Sequence, residues 1–178
     1  MATSCAGSDL ARPQRMKSTT SKIVAGVVAA GLAYGAGALG NLAMRGKGRP
    51  TGRWFRNLNK SRLEPPRTVF APVWGVLYGS IAFAGWRIWR SKKSAARTRA
   101  LRLWGTQLAL NAAWTPLFFG ARKPALALAD MAALDAATAA CIHEARKVDG
   151  AAAAAMVPYL GWLGFATMLN GAIVAKNR

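Results

Sequence analysis

Uncharged residues gather along this chain into long runs separated by short basic stretches. The main runs are Ile23 to Met44, Val69 to Trp86, Leu103 to Ala121 and Gly150 to Ala175, of 22, 18, 19 and 26 residues. A helix rises 1.5 Å per residue, so about 20 residues cross a hydrocarbon core roughly 30 Å thick, and every run is a candidate span. Pro124 to Ile142 is nearly another, interrupted only by Asp130 and Asp135. The alternating signature of barrel strands is absent, and lipid allows only helices or a closed barrel, because each backbone N–H and C=O needs an internal partner. The pattern predicts an all-α membrane protein, a bundle of five transmembrane helices over residues 23–178, preceded by a basic tail, residues 1–22.

Prolines mark the boundaries of these elements. Pro65-Pro66 fixes φ and discourages helix before it, so the second helix is predicted to begin at Arg67 or Thr68, with Pro72 and Trp74 in its first two turns. Pro116 predicts a kink in the third helix, and Arg122-Lys123-Pro124 predicts the turn into the fourth. The longest loop, Arg45 to Arg67, carries Trp54, Phe55 and Leu58. That spacing predicts a short amphipathic piece dipping toward the membrane, suited to act as a lid.

Charge sharpens the picture. The 178 residues are 53% hydrophobic yet carry a formal net charge of +19. A nucleic-acid binder spreads Lys and Arg along amphipathic helices or grooves, whereas here they fall between the apolar runs, so membrane lipid is the expected partner and nucleic acid is not. With five spans the two faces receive 13 and 12 basic residues, and the positive-inside rule selects no orientation. Both faces attract anionic lipids or ligands. The tail carries Arg12, Arg15, Lys17 and Lys22 against Asp9, as an organellar address or a disordered basic tail would. Cys5, Cys141 and a lone His143 support neither a disulfide framework nor a metal site.

Polar residues inside apolar runs are the candidate chemistry. Asn111 costs least where it faces the bundle interior and finds a partner. Asp130 is expected to pair with Arg122 or Lys123, while Asp135, five residues on, faces elsewhere. Gly105, Ala109 and Ala113 are four apart and form a strip of small residues on which another backbone can approach closely; Gly31 and Gly35 offer a competing face.

Four segments carry a resemblance: PPRTVFAPVWGVLYG (Pro65 to Gly79), QLALNAAWTPLFFGAR (Gln107 to Arg122), ALAD (Ala127 to Asp130) and PYLGWLGFATMLN (Pro158 to Asn170). With Trp54 they resemble, in order and spacing, the family of tryptophan-rich sensory proteins and translocator proteins, TspO/MBR. The resemblance implies a five-helix bundle with a pocket beneath the first loop that binds porphyrin or haem, and in animal members sterol and synthetic drugs. It implies no obligatory cofactor. Trp74 and Trp162 match the tryptophans that flank porphyrin in bacterial relatives. Phe70, Ala71, Val73, Ala166 and Leu169 match drug-contacting positions, as do Asn41 and Met44 on the first helix, and Asn111, Trp114 and Trp54 complete the expected site.

Departures also stand out: Leu126 occupies the place of a pocket tryptophan in animal members, Leu63 replaces the tryptophan before the double proline, and Asp135 departs from the motif. The implied function is a receptor or carrier in tetrapyrrole or lipid transport and stress signalling, most simply in the mitochondrial outer membrane, with the endoplasmic reticulum, another organelle or a bacterial membrane as alternatives. Light-dependent porphyrin degradation is the enzymatic alternative, and no acid/base pair or nucleophile constellation accompanies it. A sterol-binding transporter or scaffold is the other, but the segment Leu169 to Lys176 lacks the Tyr of the proposed sterol pattern. Some bacterial relatives dimerise through the third helix, which implies a homodimer on Gly105, Ala109 and Ala113.

Overall fold

The computed structural model of the chain describes residues 26–35, 54–55, 57–59 and 67–177, apart from the side chains of 67, 70 and 71. The helices are α1 (Gly26–Gly35), α2 (Arg67–Arg90), α3 (Ala95–Thr115), α4 (Pro124–Arg146) and α5 (Gly150–Lys176), with a π-helical turn at Pro116–Gly120. There is no strand among the described residues. The rest of the first expected span, the basic tail and most of the first loop lie outside them.

Local chemistry explains the helix ends. α2 starts at Arg67, directly after the double proline. Pro72 is the sixth residue of α2, so the turn is already under way where its backbone donor is missing. Ser94 caps α3 by accepting from the Arg97 N–H at 3.1 Å, Asp149 caps α5 by accepting from the Ala152 N–H at 2.9 Å, and Pro124 sits at the start of α4, where a missing N–H costs nothing. The Arg97 guanidinium donates to the Ile88 and Trp89 carbonyls, satisfying the end of α2.

By length and composition α4 and α5 are apolar enough to cross a membrane. α2 and α3 run further than their uncharged stretches and carry Arg87 and Arg90, and Arg97, Arg99 and Arg102, within their bounds. These two helices therefore combine an apolar middle with a basic end, which the reading of uncharged runs alone did not show.

Short links at 91–94, 121–123 and 147–149 make consecutive helices antiparallel neighbours. α4 packs against α3 and α5, and α5 against α2. Alanine makes the close approach possible: Ala100, Ala127, Ala145 and Ala152 are fully buried. At the end where α2 finishes and α5 begins, Arg87 grips Asp149 with N···O distances of 2.9 and 3.0 Å, and Glu144 accepts from Arg99 and Lys147. Partial burial pushes the Asp149 carboxyl up, but the Ala152 N–H and then Arg87 outweigh it and hold it below the ordinary Asp range.

Gly85 sets how closely α2 and α3 approach. A Cβ there would lie 2.5 Å from Cε2 of Trp104, whose indole N–H donates to the Ile81 carbonyl at 2.9 Å. Gly164 has nothing within 4 Å of such a Cβ. Gly85→Val is expected to cost about 1–3 kcal/mol through overpacking, while Gly164→Val stays near neutral. Thermal unfolding in lipid measures both, and equal losses would contradict this packing.

Candidate ligand-binding site

The site grows from two turns of α2. Trp74 and Tyr78 are four residues apart on one helix face, their ring centroids 5.2 Å apart. Tyr34 of α1 adds a third ring, 5.9 Å from Tyr78, and its hydroxyl donates to the Gly75 carbonyl at 3.0 Å. From the other side Tyr159 of α5 meets Trp74 edge-on at 6.5 Å.

One amide joins these helices. The Tyr78 hydroxyl donates to Asn111 Oδ1 at 2.9 Å, and Asn111 Nδ2 donates to the Tyr159 hydroxyl at 3.2 Å. Both ends of the Asn111 side chain are thereby satisfied, one by α2 and one by α5, and Tyr159 is fully buried. Trp162 lies almost one turn along α5, its ring 5.7 Å from Phe165, and it packs on the same buried core as Val73, Trp74 and Tyr78. Ala166 and Leu169 are half-buried further along α5.

A second aromatic group closes the end where α3 finishes. Pro116–Gly120 forms a π turn, with the Ala121 N–H donating to the Pro116 carbonyl at 2.8 Å. The expected kink thus takes the form of a widened turn, which brings Phe118 into the interior, 1% exposed. Arg122 ends it in the left-handed region at φ 53°, and the Lys123 N–H reaches the Leu117 carbonyl at 3.3 Å. Trp114 stacks on Phe118 at 5.0 Å, Trp54 meets Phe118 edge-on at 5.7 Å, and Phe55 lies 5.4 Å from Phe119. Residues 54, 55 and 57 are helical, as the amphipathic reading of this loop expected. Asn59 and Asn177 then exchange bonds: the Asn59 N–H donates to Asn177 Oδ1 at 3.0 Å, and Asn177 Nδ2 donates to the Asn59 carbonyl at 3.1 Å.

The expected site residues therefore divide. Val73, Trp74 and Trp162 pack on the main core, to which Asn111 is bonded through Tyr78 and Tyr159, whereas Trp54 and Trp114 belong to the group around Phe118. Leu126 is 48% exposed and joins neither group. Gly105 and Ala109 are exposed and Ala113 is half-buried. The side chains of Phe70 and Ala71, and Asn41, Met44 and Leu63 altogether, lie outside the described residues. Asp130 forms no ion pair with Arg122 or Lys123; its Oδ2 is shielded and has no hydrogen-bond partner among the described residues. The turn through left-handed Arg122 leaves both basic side chains exposed instead of folding them back along α4.

Sequence reasoning missed Tyr34, Tyr78, Tyr159, Phe118 and Thr167, whose hydroxyl donates to Asp135 Oδ2 at 2.8 Å. A signal existed for two of them, since Tyr78 lies four residues after Trp74 and Tyr159 three before Trp162, the spacings of one helix face.

Residues 27–175, the segment holding both aromatic groups, match the TspO/MBR family model. The chain belongs to the TspO/MBR family. It is 40% identical to the translocator protein of Ovis aries over 136 residues, 75% of this chain and 79% of the relative. It is 38% identical to the human translocator protein over 127 residues, 70% and 75% of the two chains. It is 38% identical to the tryptophan-rich sensory protein of Cereibacter sphaeroides over 117 residues, 66% and 72% of the two. This TspO/MBR protein is thus an integral membrane protein built as a five-helix bundle, and the family match takes in every helix named above.

Proposed function

We propose that this TspO/MBR protein binds porphyrin, haem or a related hydrophobic ligand inside the helix bundle, beneath the first loop, and acts in tetrapyrrole or lipid transport and stress signalling. The observation that carries the reading is the gathering of Trp74, Tyr78 and Tyr159 around the Asn111 amide in the bundle interior. Flat aromatic ligands are held by such rings through offset and edge-on stacking, with a few polar groups to orient them. Arg122, Lys123 and Lys176 are exposed at the end capped by Trp54 and Phe55, where they suit the carboxylates of a porphyrin. Trp54, Phe55 and Leu58 then act as the cover. The basic tail and the mammalian relatives favour the mitochondrial outer membrane.

A second reading, light-dependent porphyrin breakdown, draws on Trp74 lying 5.2 Å from Tyr78 and 6.5 Å from Tyr159, a group of oxidisable rings beside the ligand. Carrier and enzyme are separated by analysing the bound porphyrin after illumination.

The pocket reading is tested by fluorescence. Protoporphyrin is expected to quench the protein's tryptophan emission on binding, and the double variant Trp74→Phe, Trp162→Phe is expected to lose most of that quenching. A double variant that quenches like the wild type would show that the ligand sits elsewhere.

We also propose a homodimer on the outward strip of α3. Gly105 has nothing within 4 Å of an added Cβ, and Ala109 is exposed, so no described helix of the same chain covers the strip at these two residues, while Ala113 is half-buried. Ala109→Phe is expected to abolish cross-linking in bilayers while porphyrin binding persists. Undiminished cross-linking would move the interface elsewhere.

A further inference from the structure

Nine of the described Lys and Arg stand at the end of the bundle where α2 finishes, α3 begins and α4 passes into α5, with Glu144 and Asp149 as the only described acids there. Both acids are already engaged, Asp149 by Arg87 and Glu144 by Arg99 and Lys147. Arg90, Lys92, Lys93, Arg97, Arg102 and Arg146 make no ion pair among the described residues. Their charge is left to be met by anions from outside the chain.

Four of these six fall in one corner, within residues 90–97. The Arg90 guanidinium lies over the Trp86 ring, 4.3 Å from its centroid, and that of Arg97 over the Trp89 ring at 5.1 Å. Arg97 is further fixed by donating through Nη2 to the Trp89 carbonyl at 2.7 Å. A contact of this kind uses the face of the ring and leaves the N–H edge of a guanidinium to meet an anion. Side chains already held in place lose little freedom on binding. Lys92 and Lys93, in the link itself, are exposed beside them.

The rings also give the corner its depth. Trp89 is 51% exposed at the end of a membrane helix, and tryptophans in that position sit at the headgroup level of a bilayer. The four cations are therefore at the height of lipid phosphates. A phosphocholine headgroup brings its own ammonium to offset the phosphate, whereas an anionic headgroup leaves the phosphate charge for the protein.

We propose that the corner between α2 and α3 binds the headgroup of an anionic phospholipid, with its phosphate held by Arg90, Lys92, Lys93 and Arg97 and its upper acyl chains against Trp89. The site is separate from the aromatic interior, since Trp89 lies fifteen residues beyond Trp74, about 22 Å along α2. It stands whether or not that interior takes porphyrin.

The test is native mass spectrometry of the full chain in detergent micelles, titrated with phosphatidylglycerol or with phosphatidylcholine of the same acyl chains. Wild type is expected to bind phosphatidylglycerol about tenfold or more tightly than phosphatidylcholine, at roughly fivefold for each cation near the headgroup. The double variant Arg90→Gln, Lys92→Gln is expected to lose most of that preference. Arg102→Gln, Arg146→Gln removes the same charge from the same end outside the corner, and is expected to keep it. Equal binding of the two lipids by wild type overturns the proposal, as do equal losses in the two double variants, which would mean a diffuse field and no site. Inorganic phosphate is compared with sodium chloride at equal ionic strength: if phosphate displaces the lipid where chloride does not, the corner is a site for the free ion and the lipid assignment falls. If Arg90→Gln, Lys92→Gln fails to fold, Lys92→Gln, Lys93→Gln, confined to the exposed link, replaces it with the same expected loss, and an unchanged preference there overturns the proposal.

Discussion

The Asn111 amide is the interaction on which this bundle depends. In lipid, apolar side chains gain little by leaving the solvent, because acyl chains surround Leu as well as protein does, and helices associate through close packing and buried hydrogen bonds. Asn111 supplies such bonds in both directions, accepting from Tyr78 of α2 and donating to Tyr159 of α5. A side chain that would be a liability in α3 alone becomes the tie between three helices. The rings that suit a ligand are carried by the residues it ties, so the constraint that assembles the bundle also shapes its interior.

The two ends of the bundle are finished by different means. Where α2 ends and α5 begins, charge does the work: Arg87 binds Asp149, Arg99 and Lys147 bind Glu144, and Arg97 satisfies the last carbonyls of α2. At the opposite end the π turn presents Phe118 to Trp54, Phe55 and Trp114, and a pair of asparagine side chains joins residue 59 to residue 177. Ring contacts of this kind are adaptable, and they leave the polar ties at the midplane and at the other end undisturbed. The bundle is thus clamped by charge at one end and covered by aromatic rings at the other.

Much of this was legible in the sequence because it is local. The double proline before Arg67, Pro124 at the head of α4 and the uncharged runs mark the helices, and the spacing of Trp54, Phe55 and Leu58 anticipates a short amphipathic piece, though not that it packs on Phe118 and Phe119. The family motifs pointed to Trp74, Trp162 and Asn111, and the relatives bear out the family. What was hidden is non-local. Tyr78 and Tyr159 are 33 and 48 residues from Asn111, and no local pattern says that one amide serves both hydroxyls. The need for Gly85 comes from Trp104 on another helix. Asp130 looked like a partner for Arg122 or Lys123 because they are near in sequence, but the left-handed turn at Arg122 separates them. Trp114 was expected in the same site as Asn111 and instead stacks on Phe118, four residues on, in the second aromatic group.

The central claim is that Tyr78, Asn111 and Tyr159 act as one unit, and a double-mutant cycle between Asn111→Leu and Tyr78→Phe, read as unfolding free energies in bilayers, tests it most directly. Tyr78→Phe alone leaves Asn111 Oδ1 without its donor, and Asn111→Leu alone leaves both hydroxyls without their amide, each at about 1–3 kcal/mol per orphaned group. In the double variant the Tyr78 hydroxyl and the amide vanish together, so the combined loss should fall short of the sum by about 1 kcal/mol or more. Losses that add to within about 0.5 kcal/mol would show that the pair is uncoupled and that something else holds the bundle.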